Sequence, residues 1–355
     1  MAKTPSAGAP ERLTLQHVAD EAGVSRATAS LVLRDSDLVA DGTRRRVREA
    51  VERLGYIYNR GAANLRAHQS KVAGIAVGDI ANPFFAELVV GLEAALDDAG
   101  YIAFLANTSD SHQRQTRFLQ RMREQHVDGV VLCPAAASPK RFAEDLRQWG
   151  LPCVQALRHT TTHGIDYAGP DYAHGVELAI EHLVRLGHRR IAFIGGNVQH
   201  SATAERHTGF VTAMRRHQLT PDLLIKTALT RQAGLEALQD LLMCPDPPSA
   251  AVCFNDIVAF GVMLGIGASG LTIGSDFAVI GMDDVPEAAL TVPALTTVAT
   301  SPREVGREAA RLLLARIADP ERAPERSISG CRLVIRASCG YNNRRIDHSE
   351  SLATS

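Results

Sequence analysis

Three short segments near the start of the chain carry apolar residues at helical spacing. The first is capped by Thr14 and ended by Gly23, which supplies the left-handed residue of a tight turn. Ser25 is predicted to cap the second segment and Thr43 the third. The inward-facing positions are Leu15, Val18, Ala19, Ala22, Thr28, Ala29, Val32, Leu33, Val47, Ala50, Val51 and Leu54. The pattern predicts a small three-helix domain.

The turn between the first two segments reads A-x-x-A-G-V-S and is very short. Two short helices joined in this way form a helix-turn-helix, which places its second helix in the major groove of DNA. An ordinary three-helix bundle is the alternative, and the tight turn favours DNA binding over it. The second helix is predicted to present four residues outward: Arg26, Ala27, Ser30 and Leu31.

From residue 72 onward, short apolar runs alternate with helical segments, which is typical of parallel sheets. A helix is predicted over 84–99, and another runs from its cap Asp171 to Leu186. Eight repeats exceed one compact sheet, so we expect two doubly wound lobes. The runs are 72–77, 101–106, 129–133, 152–156, 191–196, 250–254, 277–281 and 296–300.

Charge is divided unevenly along the chain. The net charge of -1 is unusual for a DNA-binding protein. Residues 1–70, however, carry 11 Lys and Arg against 8 Asp and Glu, whereas residues 71–355 carry 27 against 31. Within 42–66, seven arginines face only Glu49 and Glu52. A solvated helix face and a phosphate-binding surface both explain such a cluster, and the neighbouring helix-turn-helix favours the second explanation.

Three motifs carry a resemblance to a known family. They are L-x-x-V-A-x-x-A-G-V-S-x-A-T-x-S-x-V-L, then T-R-x-R-V-x-x-A-x-x-x-L-G-Y, then N-R-x-A-x-x-L-R. The chain resembles the lactose/galactose repressor (LacI/GalR) family of bacterial transcription regulators over most of its length. The runs S-L-V-L and P-F-F-A-E-L resemble its maltose-regulon repressor branch. The resemblance implies a helix-turn-helix headpiece and a periplasmic-binding-protein-like core, with strand crossovers near residues 169, 299 and 329.

The resemblance also implies which residues contact DNA. The base-reading positions of the family fall on Arg26, Ala27 and Leu31, and an arginine can make a bidentate contact to guanine. Residues 59–66 match a hinge helix that orders on operator DNA, with Leu65 as an apolar wedge in a minor-groove step. Packing within a linker is the alternative for Leu65. The full DNA-contact set is Thr14, Ser25, Arg26, Ala27, Thr28, Ser30, Leu31, Asn59, Arg60, Ala62 and Leu65.

A ligand site is expected where the strands of the two lobes end, because doubly wound sheets bind ligands outside the carboxyl ends of their strands. Arg206 matches the effector arginine of the family, whereas Arg158 stands where the family often has an acidic residue. Asp256 and Asp284 are expected to cap helices instead. The predicted effector-binding residues are Asp79, Asn82, Phe84, Phe85, Arg158, Arg206, Asn255 and Asp283, a set of aromatic rings and planar polar groups that suits carbohydrates.

Two other functional classes are less well supported. An enzyme on a doubly wound fold needs a catalytic constellation, but G-x-G-x-x-G at 265–270 ends an apolar helix rather than following a strand. His159 and His163 have metal-ligand spacing without a third ligand in view. A sugar-binding transport protein needs export, and the N-terminus does not resemble a signal peptide. Six cysteines without a CxxC pair, and a glycine-rich apolar stretch at 256–276, fit a reduced, cytoplasmic protein with no membrane span.

The sequence thus predicts a cytoplasmic, nucleoid-associated repressor that needs no cofactor and no metal. Its partners are a near-palindromic operator DNA, a sugar-like effector and a second copy of the chain. The C-terminal tail lacks a leucine heptad, which favours a dimer over a tetramer. The predicted parts are a tail 1–12, a helix-turn-helix 13–58, a hinge and linker 59–70, and a core 71–345 before a polar tail 346–355. Within the core, lobe one is 71–168 plus 300–329 and lobe two is 169–299 plus 330–345.

Overall fold

The structure is a computed structural model that describes residues 13–34, 36–57, 69–136, 138–139, 141–198 and 200–341. It divides into two compact units, Met1–Ser70 and Lys71–Ser355, which we call the headpiece and the core.

The headpiece contains three helices: α1 (Leu15–Ala22), α2 (Arg26–Val32) and α3 (Asp41–Leu54). Gly23 ends α1 with a left-handed φ of 61°, as its sequence position predicted. The Ser25 side chain caps α2 by accepting a hydrogen bond from the Thr28 amide at 3.0 Å. The core of the headpiece is built mainly from small side chains that are fully buried: Val18, Ala19, Ala29, Val32, Val47 and Ala50.

Two details of the headpiece differ from the sequence prediction. Helix α3 begins at Asp41 with Ala40 as its cap, so Thr43 lies inside the first turn, where its amide donates to the Ala40 carbonyl at 2.9 Å. An acidic Asp41 in the first turn suits the positive end of the helix dipole. Leu31 is half-buried and packs against the headpiece core, whereas an outward position was predicted. A core rich in alanine leaves room at its edge for this leucine.

Lobe one of the core is built on a parallel six-stranded sheet with strand order β11-β5-β4-β3-β1-β2. Registers such as Ile75 with Leu105 and Val131 with Val154 align its strands. Its strands are β1 (Val72–Val77), β2 (Ile102–Asn107), β3 (Gly129–Leu132), β4 (Cys153–Ala156), β5 (Asp166–Pro170) and β11 (Arg326–Ser329). Its helices are α4 (Pro83–Asp98), α5 (His112–Glu124), α6 (Phe142–Gln148) and α11 (Pro302–Ala318).

Lobe two has a second six-stranded sheet, in the order β12-β10-β9-β8-β6-β7, in which only β12 is antiparallel to its neighbour. Its strands are β6 (Ile191–Ile194), β7 (Leu224–Ile225), β8 (Ala250–Cys253), β9 (Ala278–Asp283), β10 (Thr296–Ala299) and β12 (Arg332–Val334). Its helices are α7 (Tyr172–Arg185), α8 (Ser201–Arg216), α9 (Arg231–Leu242) and α10 (Asp256–Ala268), with short 3-10 turns at Pro286–Ala289 and Ala337–Cys339.

The chain passes between the lobes three times, after β5, after β10 and after β11. Helix α11 returns to lobe one and packs along α4, where Gly91 and Gly306 bring the two backbones together. Strands that belong to one lobe are therefore far apart in the sequence.

The two doubly wound lobes are confirmed, and all eight predicted apolar runs contain a strand. The prediction missed β5, β7, β11 and β12, which are short strands at or next to the edges of their sheets. The apolar stretch 256–276 is a buried helix followed by a loop, as predicted. Across the described residues, no helix combines the length and the apolar character that a bilayer span requires.

Candidate functional site

A cleft of about 540 Å³ lies at the carboxyl ends of the strands, and both lobes contribute to its walls. The volume is in the range of small-molecule sites. All eight residues that the sequence suggested for ligand binding border this cleft: Asp79, Asn82, Phe84, Phe85, Arg158, Arg206, Asn255 and Asp283. The structure therefore brings the candidate residues together, although Asp79 and Asp283 are about two hundred positions apart in the sequence.

The loop after β1 forms one wall of the cleft and leads into α4. The Asn82 side chain caps this helix by accepting from the Phe84 amide at 3.1 Å, and Asp79 accepts from the Ala81 amide at 3.1 Å. Phe84 and Phe85 pack edge to face with their ring centroids 5.5 Å apart. Both rings are buried, so they offer the cleft an apolar edge rather than a freely exposed stacking face.

Arg158 enters the cleft from the loop after β4. Its position depends on Leu157, which adopts a left-handed φ of 63°. Its Nη1 donates to Asp110 Oδ1 at 2.6 Å, and the same carboxylate oxygen accepts from the Ala136 amide at 3.2 Å. The side chain of Arg158 is only 11% exposed. Asp110, which the sequence analysis did not identify, therefore holds Arg158 in place at the position where an acidic residue was expected.

Arg206 is the most deeply buried cation of the cleft, with an exposed fraction of 3%. Its guanidinium carbon lies 3.6 Å from the centre of the Tyr172 ring and 4.2 Å from that of Phe254. It donates to the Ala202 carbonyl at 3.1 Å and, through Nε, to the Met282 sulfur at 3.2 Å. Two aromatic faces and these contacts hold the guanidinium in one orientation at the cleft.

Asp283 ends β9 with its side chain at the cleft. Its backbone has a φ of 120°, and the next residue, Asp284, is also left-handed with a φ of 57°. Asp283 is 4% exposed, and Oδ1 has no hydrogen-bond partner among the described residues. Burial, together with the nearby Asp256 carboxylate, raises the pKa of Asp283 well above its usual value, against the opposing effect of Arg206. An unpartnered buried oxygen at a cleft is a candidate ligand contact.

Behind Asp283, Asp256 joins three elements of lobe two. Its Oδ1 accepts from the Thr297 hydroxyl at 2.6 Å, and its Oδ2 accepts from the Val285 amide at 2.9 Å. Burial raises its pKa to about 7, although both hydrogen bonds oppose the rise. The predicted capping role was wrong, because Asn255 is the cap of α10 and accepts from the Val258 amide at 3.0 Å.

The predicted capping role of Asp284 was also wrong. Its carboxylate accepts a hydrogen bond from Arg336 Nη2 at 2.7 Å, and its amide donates to the Thr297 hydroxyl at 3.4 Å. The short 3-10 turn that follows has Val285 at its cap position instead. Asp284 therefore ties the loop after β9 to the segment after β12, rather than satisfying the amides of a helix.

His200 is a further cleft residue that sequence reasoning missed. Its Nδ1 caps α8 by accepting from the Thr203 amide at 3.1 Å, which places the proton of the neutral ring on Nε2. Burial, followed by the charges of Arg158, Arg206 and His207, lowers its pKa to about 2. Other unpredicted cleft residues are Asp110, Tyr172, Asn197, Thr203, Thr230, Phe254 and Ile257. Asp110 and Asn197 follow strands, so the rule that selected Asp79 also identifies them.

His159, next to the cleft residue Arg158, contacts the opposite lobe. The His159 amide, after β4, donates to the Ser201 hydroxyl of α8 at 2.9 Å. The His159 ring lies 3.0 Å from the Glu205 carboxylate and packs edge to face on Tyr167. His159 therefore has a partner in the opposite lobe, while His163 is exposed. Within the described part of the chain, no three metal-ligating side chains cluster.

The DNA-reading candidates lie on the headpiece surface in part. Arg26 and Ala27, at the start of α2, are exposed, and Thr14 is exposed at the cap of α1. Thr28 and Ser30 are half-buried, and Thr28 shares a 2.9 Å hydrogen bond with the Ser25 hydroxyl. The predicted hinge contacts lie outside the described residues: Asn59, Arg60, Ala62 and Leu65.

The arginines of the headpiece differ in the hydrogen bonds and ion pairs that they form within it. Arg44 donates to the carbonyls of Ser36 and Val39 at 3.0 and 3.4 Å, and Arg53 pairs with Glu21 at 2.8 Å. Arg45 and Arg46 are exposed on α3. Two of the clustered arginines thus stabilise the headpiece itself, and the exposed ones remain candidates for phosphate contacts.

Comparison with known proteins places both units in one family. Residues 14–59 match the family model "Bacterial regulatory proteins, lacI family", and residues 180–339 match the model "Periplasmic binding protein-like domain". The HTH-type transcriptional repressor PurR of Aliivibrio salmonicida is 32% identical over 308 residues, which cover 86% of this chain and 92% of that protein.

The regulatory protein MalI of the maltose regulon of Escherichia coli K12 is 31% identical over 343 residues, 91% of this chain and 98% of that protein. Two such similar identities do not single out the maltose-regulon branch that the sequence motifs suggested. A solved structure of the lac repressor dimer, bound to operator and the anti-inducer ONPF, is 25% identical and superposes with a TM-score of 0.85. The superposition covers 93% of this chain and 99% of that one.

The helix-turn-helix, the two-lobed core and the relatives agree over nearly the whole chain. The family resemblance inferred from the sequence motifs is confirmed. The chain belongs to the LacI family of bacterial regulatory proteins and is a DNA-binding transcriptional regulator, not an enzyme.

Proposed function

We propose that this protein represses transcription in the cytoplasm by binding a near-palindromic operator as a homodimer, and that a carbohydrate-like effector in the cleft sets its operator affinity. The observation that carries the proposal is the cleft itself. It places the buried, oriented side chains of Arg206 and Asp283 at a ligand-sized space, in a chain that also carries an exposed helix-turn-helix.

Base recognition is assigned to the exposed start of α2. Arg26 can donate two hydrogen bonds to O6 and N7 of guanine, and Ala27 can contact a thymine methyl group. Leu31 packs against the headpiece core, which leaves it less available to the groove than the sequence suggested. Readout by α2 therefore depends mainly on one arginine, and DNA shape supplies further specificity.

The homodimer is supported by apolar side chains that each lobe leaves in solvent. On the edge strand β2 they are Ile102, Phe104 and Leu105, and in lobe two they are Leu264, Leu290 and Val292. Exposed apolar patches of this kind mark interaction surfaces. A two-fold dimer that covers them would place two recognition helices on two half-sites of one operator.

Control by the effector is assigned to a change in the position of one lobe relative to the other. His159 of lobe one contacts Ser201 and Glu205 of lobe two, so an effector that moves one lobe relative to the other would alter this contact. Residues 59–66 are assigned as the hinge that folds on DNA, and so as the segment through which effector binding changes operator affinity. A helix of about two turns is too short to be stable alone, so small changes in lobe position can decide whether it forms.

The test is operator recognition by Arg26→Ala, using an operator selected from a random DNA library and permuted at each base pair. We expect the variant to lose about 1–3 kcal/mol of binding free energy and to relax the preference at one base position in each half-site. Arg34→Ala, two residues after the end of the same helix, is the matched control and should weaken all permuted operators evenly or not at all. Uniform weakening by Arg26→Ala would make Arg26 a phosphate contact instead.

A further inference from the structure

The deepest cation of the cleft forms no ion pair among the described residues. Arg206 is almost fully buried, and its contacts include a carbonyl, a sulfur, the Tyr172 hydroxyl and two aromatic faces. A buried guanidinium is costly unless an anion or several acceptors compensate it. Because Arg206 borders the cleft, a ligand there can supply the missing negative charge.

Arg158 is the second cation, and its carboxylate partner is already shared. Asp110 Oδ1 accepts from both Arg158 and the Ala136 amide. Of the two guanidinium groups, only that of Arg158 forms an ion pair among the described residues.

Two further polar side chains, Asp283 and His200, border the same cleft. Burial raises the pKa of Asp283 well above its usual value, against the opposing effect of Arg206, and so favours the protonated form that can donate a hydrogen bond. His200 is neutral and carries its proton on Nε2, since Nδ1 accepts from the Thr203 amide. Both side chains favour a ligand that is rich in acceptor oxygens.

We propose that the effector is a carbohydrate that bears an anionic oxygen group, a carboxylate or a phosphate, held by Arg158 and Arg206. Planar guanidinium groups bind such oxyanions through paired, charge-assisted hydrogen bonds. The proposal depends on the cleft being the effector site, as proposed above, and it names the chemical class of the ligand.

The first test uses inorganic phosphate as the probe and the full-length protein. Thermal unfolding is followed while sodium phosphate is titrated, against sodium chloride at equal ionic strength. We expect phosphate to raise the unfolding midpoint of the core in a saturable manner that chloride does not reproduce. Equal shifts with both salts would overturn the proposal.

The variants remove the second cation without leaving a buried charge alone. In Arg158→Met combined with Asp110→Asn, the ion pair is removed as a unit, and phosphate affinity should fall at least about tenfold. The single variant Arg158→Lys keeps the charge but not the planar pair of donors, so it should lose less affinity than the double variant. Arg117→Met, on the exposed face of α5, is the matched control and should bind phosphate as the unaltered protein does. Undiminished phosphate binding by the double variant would overturn the proposal.

A second experiment identifies whether the oxyanion is the carboxylate or the phosphate of a sugar. Calorimetric titrations compare D-gluconate and D-glucose 6-phosphate with D-glucose, and at least one anionic sugar is expected to bind about tenfold or more tightly than D-glucose. D-Glucose binding as tightly as both would overturn the proposal. Operator binding is measured separately, so a failure of the oxyanion tests with intact Arg26-dependent operator recognition refutes only the ligand class.

Discussion

At the scale of single residues, two adjacent left-handed aspartates shape one wall of the cleft. Asp283 and Asp284 have positive φ angles, which cost about 1–3 kcal/mol each in residues other than glycine. Asp256 holds the amide of the following Val285, and Arg336 holds the Asp284 carboxylate. Asp256 therefore acts as a positioning residue that keeps Asp283 directed at the cleft.

Asp256 also predicts a pH dependence of stability. Its pKa is about 7 in the folded protein, against a usual value near 4 in an unfolded chain. Between about pH 4 and pH 7 the carboxyl is protonated mainly in the folded state, so the free energy of unfolding of the core should fall as pH rises through this window. Above this pH window, the contribution of the protonated Asp256 to the free energy of unfolding is lost completely.

Asp256→Asn should flatten this fall, as measured by urea unfolding at pH values across the window. A shallower slope should remain, because the pKa of Asp283 is also raised. The exposed Asp97→Asn is the control and should retain the slope of the unaltered protein. If Asp256→Asn shows the full slope, Asp256 is not the group that titrates.

At the scale of elements, α4 and α11 pack with almost no space between their backbones. A Cβ added at Gly91 would collide with the backbone of Arg303, and one at Gly306 would collide with that of Leu88. Both clashes involve backbone atoms, which cannot move away as a flexible side chain could. Glycine at these two positions therefore sets the distance between the helices of lobe one.

Gly91→Ala is expected to destabilise the core by about 1–3 kcal/mol in chemical unfolding, because the helices must separate. Gly267→Ala, in α10, is a matched control: a Cβ there meets nothing within 4 Å. The control should be neutral or stabilising by up to about 1 kcal/mol, since alanine favours helix. Equal effects of the two substitutions would show that helix propensity, and not the crossing, decides the result.

Elements with strong local patterns were predictable from the sequence, and those that depend on distant partners were not. Helix α4 and the interior strand β1 show clear apolar patterns, whereas β11 is short and partly polar at a sheet edge. Asp256 was assigned to capping because it opens a helix. Its partners Val285 and Thr297 lie 29 and 41 positions further on. The loops after predicted strands identified much of the cleft, but not the pairing of Asp110 with Arg158.

At the scale of the whole molecule, the near-zero net charge is the sum of a basic headpiece and an acidic core. The structure adds that the headpiece arginines are not equivalent. Arg44 and Arg53 are engaged within the headpiece, whereas Arg45 and Arg46 are exposed. The salt dependence of operator binding should therefore come from fewer arginines than the sequence contains.

This difference is tested by measuring operator affinity over a range of salt concentrations. Arg45→Gln combined with Arg46→Gln should flatten the plot of log affinity against log salt by about 0.9 for each DNA phosphate that is no longer neutralised. Arg53→Gln, which removes one arginine paired with Glu21, is the comparison and should change the slope less for each arginine removed. A larger change for Arg53→Gln would mean that this arginine leaves Glu21 to bind DNA.

The three passages of the chain between the lobes also determine the order in which the protein can fold on the ribosome. The sheet of lobe one needs β11, and that of lobe two needs β12, so both remain incomplete until residues 326–334 have emerged. The headpiece core, by contrast, closes within its first three helices. Because domains fold as units during synthesis, the nascent chain acquires its DNA-reading domain long before its ligand cleft.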